Sequence, residues 1–303
     1  MQNITGPTMG VAMYEAGGRG ILHRFCSIET AVGDFRKATE GICFSLGDNY
    51  VTTGMEVGVS VGVKDGEKDR FESLYSAGAR FFCVDVAHGH HLLVKKMLGW
   101  MDTALGSSRK DVMIMAGNVV TPEGACDLAN WGADIVKVGI GAGAACETRR
   151  NVGVGCAQLW ALEKIWRSFD TGRPYIMSDG GIKTRGDIPK ALMFAHAVMV
   201  GNLLAGTAET PGSVFEDDSG RFYKSFGGSA SGENKVASGR ENQFVEGHLK
   251  QVPFRGHVKH IMRKVKESIQ MAGSFVGART LQEFRQKAKY NFLTGGGRAE
   301  SKF

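Results

Sequence analysis

Short apolar, β-branched runs alternate with longer amphipathic segments along most of this chain, and many of the runs end in glycine. The pattern predicts strands over 20–24, 57–63, 81–85, 112–116, 134–139, 175–178 and 197–201. It predicts helices over 7–15, 28–39, 68–77, 91–104, 122–131, 157–169, 185–194 and 257–272. A helix between successive strands makes the strands parallel and covers the outer face of their sheet. Seven strands and eight helices in strict alternation therefore imply an α/β fold, a (β/α)8 TIM-type barrel. A doubly wound open sheet is the alternative, because seven strands need not close. The barrel is expected to lack its first strand, since residues 1–5 lead straight into a helix. Three explanations stay open: a barrel open at that point, a partner chain that supplies the strand, or a sequence that is a fragment.

A length of 303 residues admits two ordinary domains or one barrel of about 250 residues with additions. The strand pattern favours a single barrel domain over 1–293, with 202–255 as a long flap before the last helix and 294–303 as a disordered tail. A connection as long as 202–255 exceeds ordinary loops and points to a functional segment. Glycine, 43 residues against only 6 prolines, is about twice its usual frequency without a collagen-like composition, so it serves loops. The net charge of +6 suits an anionic ligand. The basic residues are scattered, however, and the densest group (His260, Arg263, Lys264, Lys266) reads as a solvated helix face rather than a nucleic-acid patch. Six cysteines without a Cys-x-x-Cys pair fit a reducing cytoplasm. No apolar run approaches the roughly 18 residues of a membrane helix, so neither a membrane nor a nucleic acid is expected as partner.

Active sites of such barrels lie at the C-terminal ends of the strands. Those ends read His23-Arg24, Asp85 to Gly89, Gly117-Asn118, Gly139 to Thr148, Ser178 to Gly181 and Gly201-Asn202. The most informative is VGIGAGAACETRR, 138–150, where Gly139, Gly141 and Gly143 precede Cys146 directly after an apolar run. Glycines let the backbone fold tightly and approach a ligand closely. A lone cysteine in such a loop is commonly structural, but its place at a strand end, with Thr148 and Arg149 close behind, also suits a nucleophile whose thiolate a positive charge favours. Asp179, after an apolar strand, suits a carboxylate that accepts ribose hydroxyls, and equally a turn aspartate. Gly180, Gly181 and Gly201 offer backbone N–H groups to a phosphate. The His88-Gly89-His90-His91 cluster lacks a third zinc ligand at ordinary spacing.

The run MAGNVVTPEGACDLANWGADIVKVGIGAGAACETRRNVGVGCAQL (115–159), then SDGGI (178–182) and VPFRG (252–256), resembles the IMP dehydrogenase/GMP reductase family and is most similar to its reductase branch. The likeness extends over 3–278 and implies a (β/α)8 barrel, commonly tetrameric. It implies that Cys146 adds to C2 of a purine nucleoside monophosphate, and that NADPH then delivers hydride as GMP becomes IMP. The proton-handling pair is matched by Thr148 and Glu246, the latter six residues before Val252-Pro253-Phe254; by itself a glutamate there reads as plain surface. The resemblance assigns Asn118, Asp179, Gly180, Gly181, Gly201, Asn202, Gly227, Gly228 and Ser229 to the nucleotide. It assigns Asp85, Ala87 and Arg24 to the cofactor, and Gly141 and Gly143 to a monovalent cation, K+.

The sequence departs from the family pattern in places. Ala144 stands where a phosphate-holding serine is usual, Phe226-Gly227-Gly228-Ser229-Ala230 where Tyr-Gly-Met-Ser-Ser is usual, Arg24 for a lysine and Gln243 for an arginine. Three features favour the reductase branch. The interval from Thr39 to Val57 has no room for the regulatory insertion of many dehydrogenases, 202–255 holds no Arg-Tyr dipeptide, and EGHLKQVPFRG is reductase-like. The alternatives are oxidation of IMP to XMP, a related reaction on a modified or deoxy purine nucleotide, and a non-catalytic nucleotide-binding homologue.

Overall fold

In a computed structural model, seven strands form one sheet in strictly sequential order, all parallel. They are β1 (Gly20–Leu22), β2 (Val57–Val61), β3 (Phe81–Asp85), β4 (Met113–Val119), β5 (Ile135–Val138), β6 (Tyr175–Asp179) and β7 (Ala197–Met199). Between and around them run α1 (Pro7–Glu15), α2 (Ile28–Leu46), α3 (Glu67–Ser76), α4 (Leu92–Leu105), α5 (Pro122–Asn130), α6 (Thr148–Asn151), α7 (Gln158–Ser168), α8 (Asp187–Leu192), α9 (Val258–Phe275) and α10 (Leu281–Lys287). The structure describes residues 1–47, 50–144, 146–169, 174–227 and 249–295. Among these no strand joins β7 to β1, so the architecture is a (β/α)8-type barrel lacking a strand, as the alternation predicts.

Two apolar layers place the sheet. Val57, Val59, Val61, Phe82, Val84, Ile114, Ala116, Val136, Val138 and Ile176 pack outward against the helices. The alternate residues Phe81, Cys83, Met115 and Ile135, with Ile21, Met113, Met177 and Met199 against them, pack together on the inner face. The inner layer gathers side chains from β1 and from β3 through β7, which requires the sheet to curl around it. Helix ends follow local chemistry. Ser27 accepts the Thr30 amide to start α2, Thr121 with Pro122 starts α5, and His91 accepts the Leu93 amide to start α4.

The structure differs from the sequence reading in several places, and β1, β2 and β7 each end two residues earlier than expected. Helix α2 continues past Thr39 to Leu46, because Ile42 extends the buried stripe of Ala31, Phe35 and Ala38, and Gly47 at φ 99 then ends it. Helices α6 and α10 were not expected. The 202–255 connection is not merely irregular: β8 (Phe215–Glu216), β9 (Phe222–Gly227) and β10 (Leu249–Pro253) form an antiparallel sheet at its base. The Lys224 ammonium, buried under that sheet, donates to the carbonyls of Thr207 (3.2 Å), Ala208 (3.4 Å) and Thr210 (2.6 Å) and so ties β9 to the turn after β7.

Candidate active site

Above the inner apolar layer, the next inward positions are charged. Asp85 follows Cys83 on β3, Lys137 follows Ile135 on β5 and Asp179 follows Met177 on β6, each two residues toward the strand's C-terminal end. The Lys137 ammonium lies 2.8 Å from Asp85 Oδ1 and 2.9 Å from Asp179 Oδ2, and it also donates to Asn118 Oδ1. The Asn118 amide donates to Asp179 Oδ2 at 2.9 Å and to the Gly139 carbonyl at 2.5 Å. Four side chains from four neighbouring strands thus share one network.

Their charge states follow from that packing. Burial by itself would raise the Asp85 pKa, but the Lys137 ammonium, with help from Arg24, outweighs it and holds Asp85 down to about 2. Burial opposes charge on Lys137 too, and the carboxylates of Asp179 and Asp85 more than offset it, so the lysine stays protonated. One layer below, burial pushes the Cys83 thiol up to about 12 and makes it a plain apolar filler. At the end of β1, burial and then nearby positive charge lower His23 to about 4, and its neutral Nδ1 accepts the Phe25 amide at 3.2 Å.

The cysteine loop leaves β5 at Gly139, which has φ 144 and lies so close to β6 that a Cβ there would collide with the Asp179 carbonyl. Side chains at Gly141 and Gly155 would strike Arg149, whose stem lies along the loop. Cys146 is exposed, its amide donates to the Gly143 carbonyl at 3.0 Å, and its Sγ is 3.1 Å from Thr148 Oγ1. The turn after β6 holds this loop from the other side. Gly181 donates its amide to the Ala142 carbonyl at 2.8 Å, and a Cβ on Gly180 would meet Ala142 and Gly143 at 3.1 Å. The Gly181 N–H, assigned to the phosphate on the family resemblance, is thus engaged by the cysteine loop. Gln158 joins the same two strands, donating to the Val138 carbonyl at 2.7 Å and to Ser178 Oγ at 3.1 Å.

At the end of β7 the Gly201 carbonyl accepts the amides of Leu204 and Ala205, which forms a helical turn over Asn202. Arg255, from the VPFRG motif, donates to the carbonyls of Asn202 (3.3 Å) and Leu203 (3.2 Å) and fixes β10 to that turn. Gly227 pairs with Leu249 at the last rung of the flap sheet. Gly228, Ser229 and Glu246 lie outside the described residues.

The Arg24 guanidinium lies 3.5 Å from Glu67 and donates to the Asp85 carbonyl at 3.2 Å, so it braces the end of β3. Ala87 is exposed just beyond Asp85. Of the histidine cluster, His90 pairs with Asp127 at 2.8 Å and His91 caps α4; among the described residues no group of three or more His, Cys, Asp or Glu could hold a metal. In the Gly141–Gly143 stretch the Gly143 carbonyl accepts the Cys146 amide at 3.0 Å. No described helix is long and apolar enough to cross a membrane.

Sequence reasoning missed Lys137, Lys224 and Arg255. Lys137 was legible in principle: a lysine inside the run Ile135-Val136-Lys137-Val138, in phase with Ile135, must put its charge on the same face as that buried residue.

A family model described as the IMP dehydrogenase / GMP reductase domain matches residues 1–303. A GMP reductase from Albidiferax ferrireducens is 38% identical over 253 residues, covering 82% of this chain and 74% of its own. One from Leptothrix cholodnii is 40% identical over 249 residues, covering 80% and 72%. One from Lactobacillus delbrueckii subsp. bulgaricus is 34% identical over 289 residues, covering 94% and 81%.

Proposed function

The chain belongs to the IMP dehydrogenase / GMP reductase family of oxidoreductases, and from that premise we propose that it converts a purine nucleoside monophosphate, GMP to IMP, by NADPH-dependent reductive deamination through a covalent cysteine intermediate. The observation that carries this reading is Cys146 Sγ, 3.1 Å from Thr148 Oγ1, on a glycine loop packed against the turn that follows Asp179.

Asp179 offers Oδ1, which bears no hydrogen bond among the described residues, to the hydroxyls of the nucleotide ribose, and Asn118 borders the base. The phosphate falls to the amides of Gly180, Gly201 and Asn202 and to the Gly227-Gly228-Ser229 stretch. The Cys146 sulfur bonds to C2; a proton passes to the amino nitrogen by way of Thr148 and Glu246; the C2–N bond breaks and ammonia leaves with its electron pair. When bound, NADPH supplies the hydride that takes the place of ammonia at C2. As the C2–S bond breaks, Cys146 recovers its electron pair as thiolate. One GMP, one NADPH and two protons give one IMP, one NADP+ and one ammonium ion.

Asp85 fits the cofactor side. It is held ionised, its Oδ2 bears no hydrogen bond among the described residues, and exposed Ala87 beside it leaves room for a ribose. On the same reading the chain is one barrel unit over 1–293 that works as a homo-oligomer in a reducing compartment, which suits a catalytic thiol. The test is loss of reduced-nicotinamide absorbance with NADPH or NADH against GMP, dGMP and IMP. Cys146→Ala abolishes turnover and retains nucleotide binding by calorimetry, whereas Cys156→Ala keeps activity. Full turnover in Cys146→Ala refutes the covalent route.

A further inference from the structure

Lys137 has only 3% of its side chain exposed, and an ammonium has three hydrogens to place. It places them on three acceptors from three different strands: Asp85 of β3, Asn118 of β4 and Asp179 of β6. Asn118 in turn uses both amide hydrogens, on Asp179 and on the Gly139 carbonyl. Every donor in the network is therefore engaged, and the arrangement has one solution. Two acceptors remain over, Asp85 Oδ2 on one side and Asp179 Oδ1 on the other, neither hydrogen-bonded among the described residues. Lys137 is thus the one side chain among the described residues whose ammonium hydrogen-bonds both carboxylates, with the Arg24 guanidinium and the Met1 amino group adding charge near Asp85.

We propose that Lys137 is a positioning residue that couples the nucleotide subsite to the cofactor subsite, by sharing one ammonium between Asp85 and Asp179. The proposal rests on the reading of function above, in which Asp179 serves the nucleotide and Asp85 the cofactor. A ligand hydroxyl that draws charge from Asp85 leaves more of the ammonium for Asp179, and the reverse, so occupancy of one subsite changes affinity at the other. The lysine touches neither ligand in this scheme.

The test is a mutant cycle read by calorimetry on the intact protein, with GMP, IMP, XMP and AMP as probes. Asp85→Asn mimics a neutralised cofactor carboxylate and is expected to change the affinity of the bound nucleotide by about tenfold, although Asp85 does not touch it. In the Lys137→Met background the same substitution is expected to change affinity less than about twofold, while Lys137→Arg restores the dependence. A long-range charge effect behaves differently, because it persists or grows once the shared cation is removed. An equal Asp85→Asn effect with and without Lys137 overturns the coupling and leaves the proposed reaction standing. If Lys137→Met does not fold, the single variant Asp85→Asn still decides, since unchanged nucleotide affinity overturns the proposal. A wild-type protein that binds none of the four nucleotides refutes the reading of function and this proposal with it.

Discussion

The Asp85–Lys137 contact makes a prediction about acid stability. Asp85 sits at about 2 in the folded chain against an ordinary 3.8, chiefly because the ammonium 2.8 Å away outweighs the cost of burial. At 1.36 kcal/mol per pKa unit, that difference is worth about 2 kcal/mol of folding stability at neutral pH. Because the folded pKa is depressed, this stability is fully present above 3.8 and is lost as pH falls toward about 2. Asp85→Asn keeps an oxygen to accept from Lys137 and removes the charge. It should therefore be less stable than wild type by about 2 kcal/mol at pH 7, which for a chain of this size lowers Tm by several degrees. As the pH is lowered below about 4, the two proteins should converge, since the wild-type carboxyl then also gives up its charge. Urea unfolding of both proteins at neutral pH and through the acid range measures the gap. A gap that stays constant with pH, or a variant as stable as wild type at pH 7, would show that the ion pair does not hold Asp85 ionised.

Two further perturbations address the chemistry and its scaffold. Glu246→Gln is expected to lower kcat by about a hundredfold or more while nucleotide affinity stays within a few-fold, and weakened binding with normal kcat would make the residue a binding contact instead. Gly139→Ala forces a methyl group into the Asp179 carbonyl at a backbone angle of φ 144, so it should cost about 1–3 kcal/mol and raise KM for the nucleotide by shifting Asp179; an unchanged melting temperature contradicts the close approach of β5 to β6.

The outer face of the barrel was the easiest part to read from sequence. Val57–Val61 is buried along its length, as a parallel strand covered by helices must be, so the run declares itself without any long-range information. Helix starts were legible for the same reason, since Ser27 and Thr121 satisfy amides only three residues away. Ends were harder. Helix α2 runs on past Thr39 because Ile42 packs with the stripe of Ala31, Phe35 and Ala38, a tertiary contact that the local sequence does not announce. The flap strands escaped because β8 has only two residues and β9 and β10 pair across an intervening segment, a non-local contact with no local periodicity.

The candidate site divides along the same line. Cys146 and Thr148 are two residues apart, so their 3.1 Å contact is a local fact that the loop sequence carries by itself. Asp85, Asn118, Lys137 and Asp179 come from four strands, and what joins them is the register that sets Asp85 beside Gly117, Gly117 beside Lys137 and Lys137 beside Met177. Shift any of those strands by one residue and its site residue turns outward, against the helices. Inward phase is readable from the alternation of Ile135 with Lys137 and of Met177 with Asp179, but which inward residues meet depends on how far the sheet curls. That curl is set by the packing of Phe81, Cys83, Met115 and Ile135 in the layer beneath, so the apolar inner layer fixes the geometry of the charged one above it.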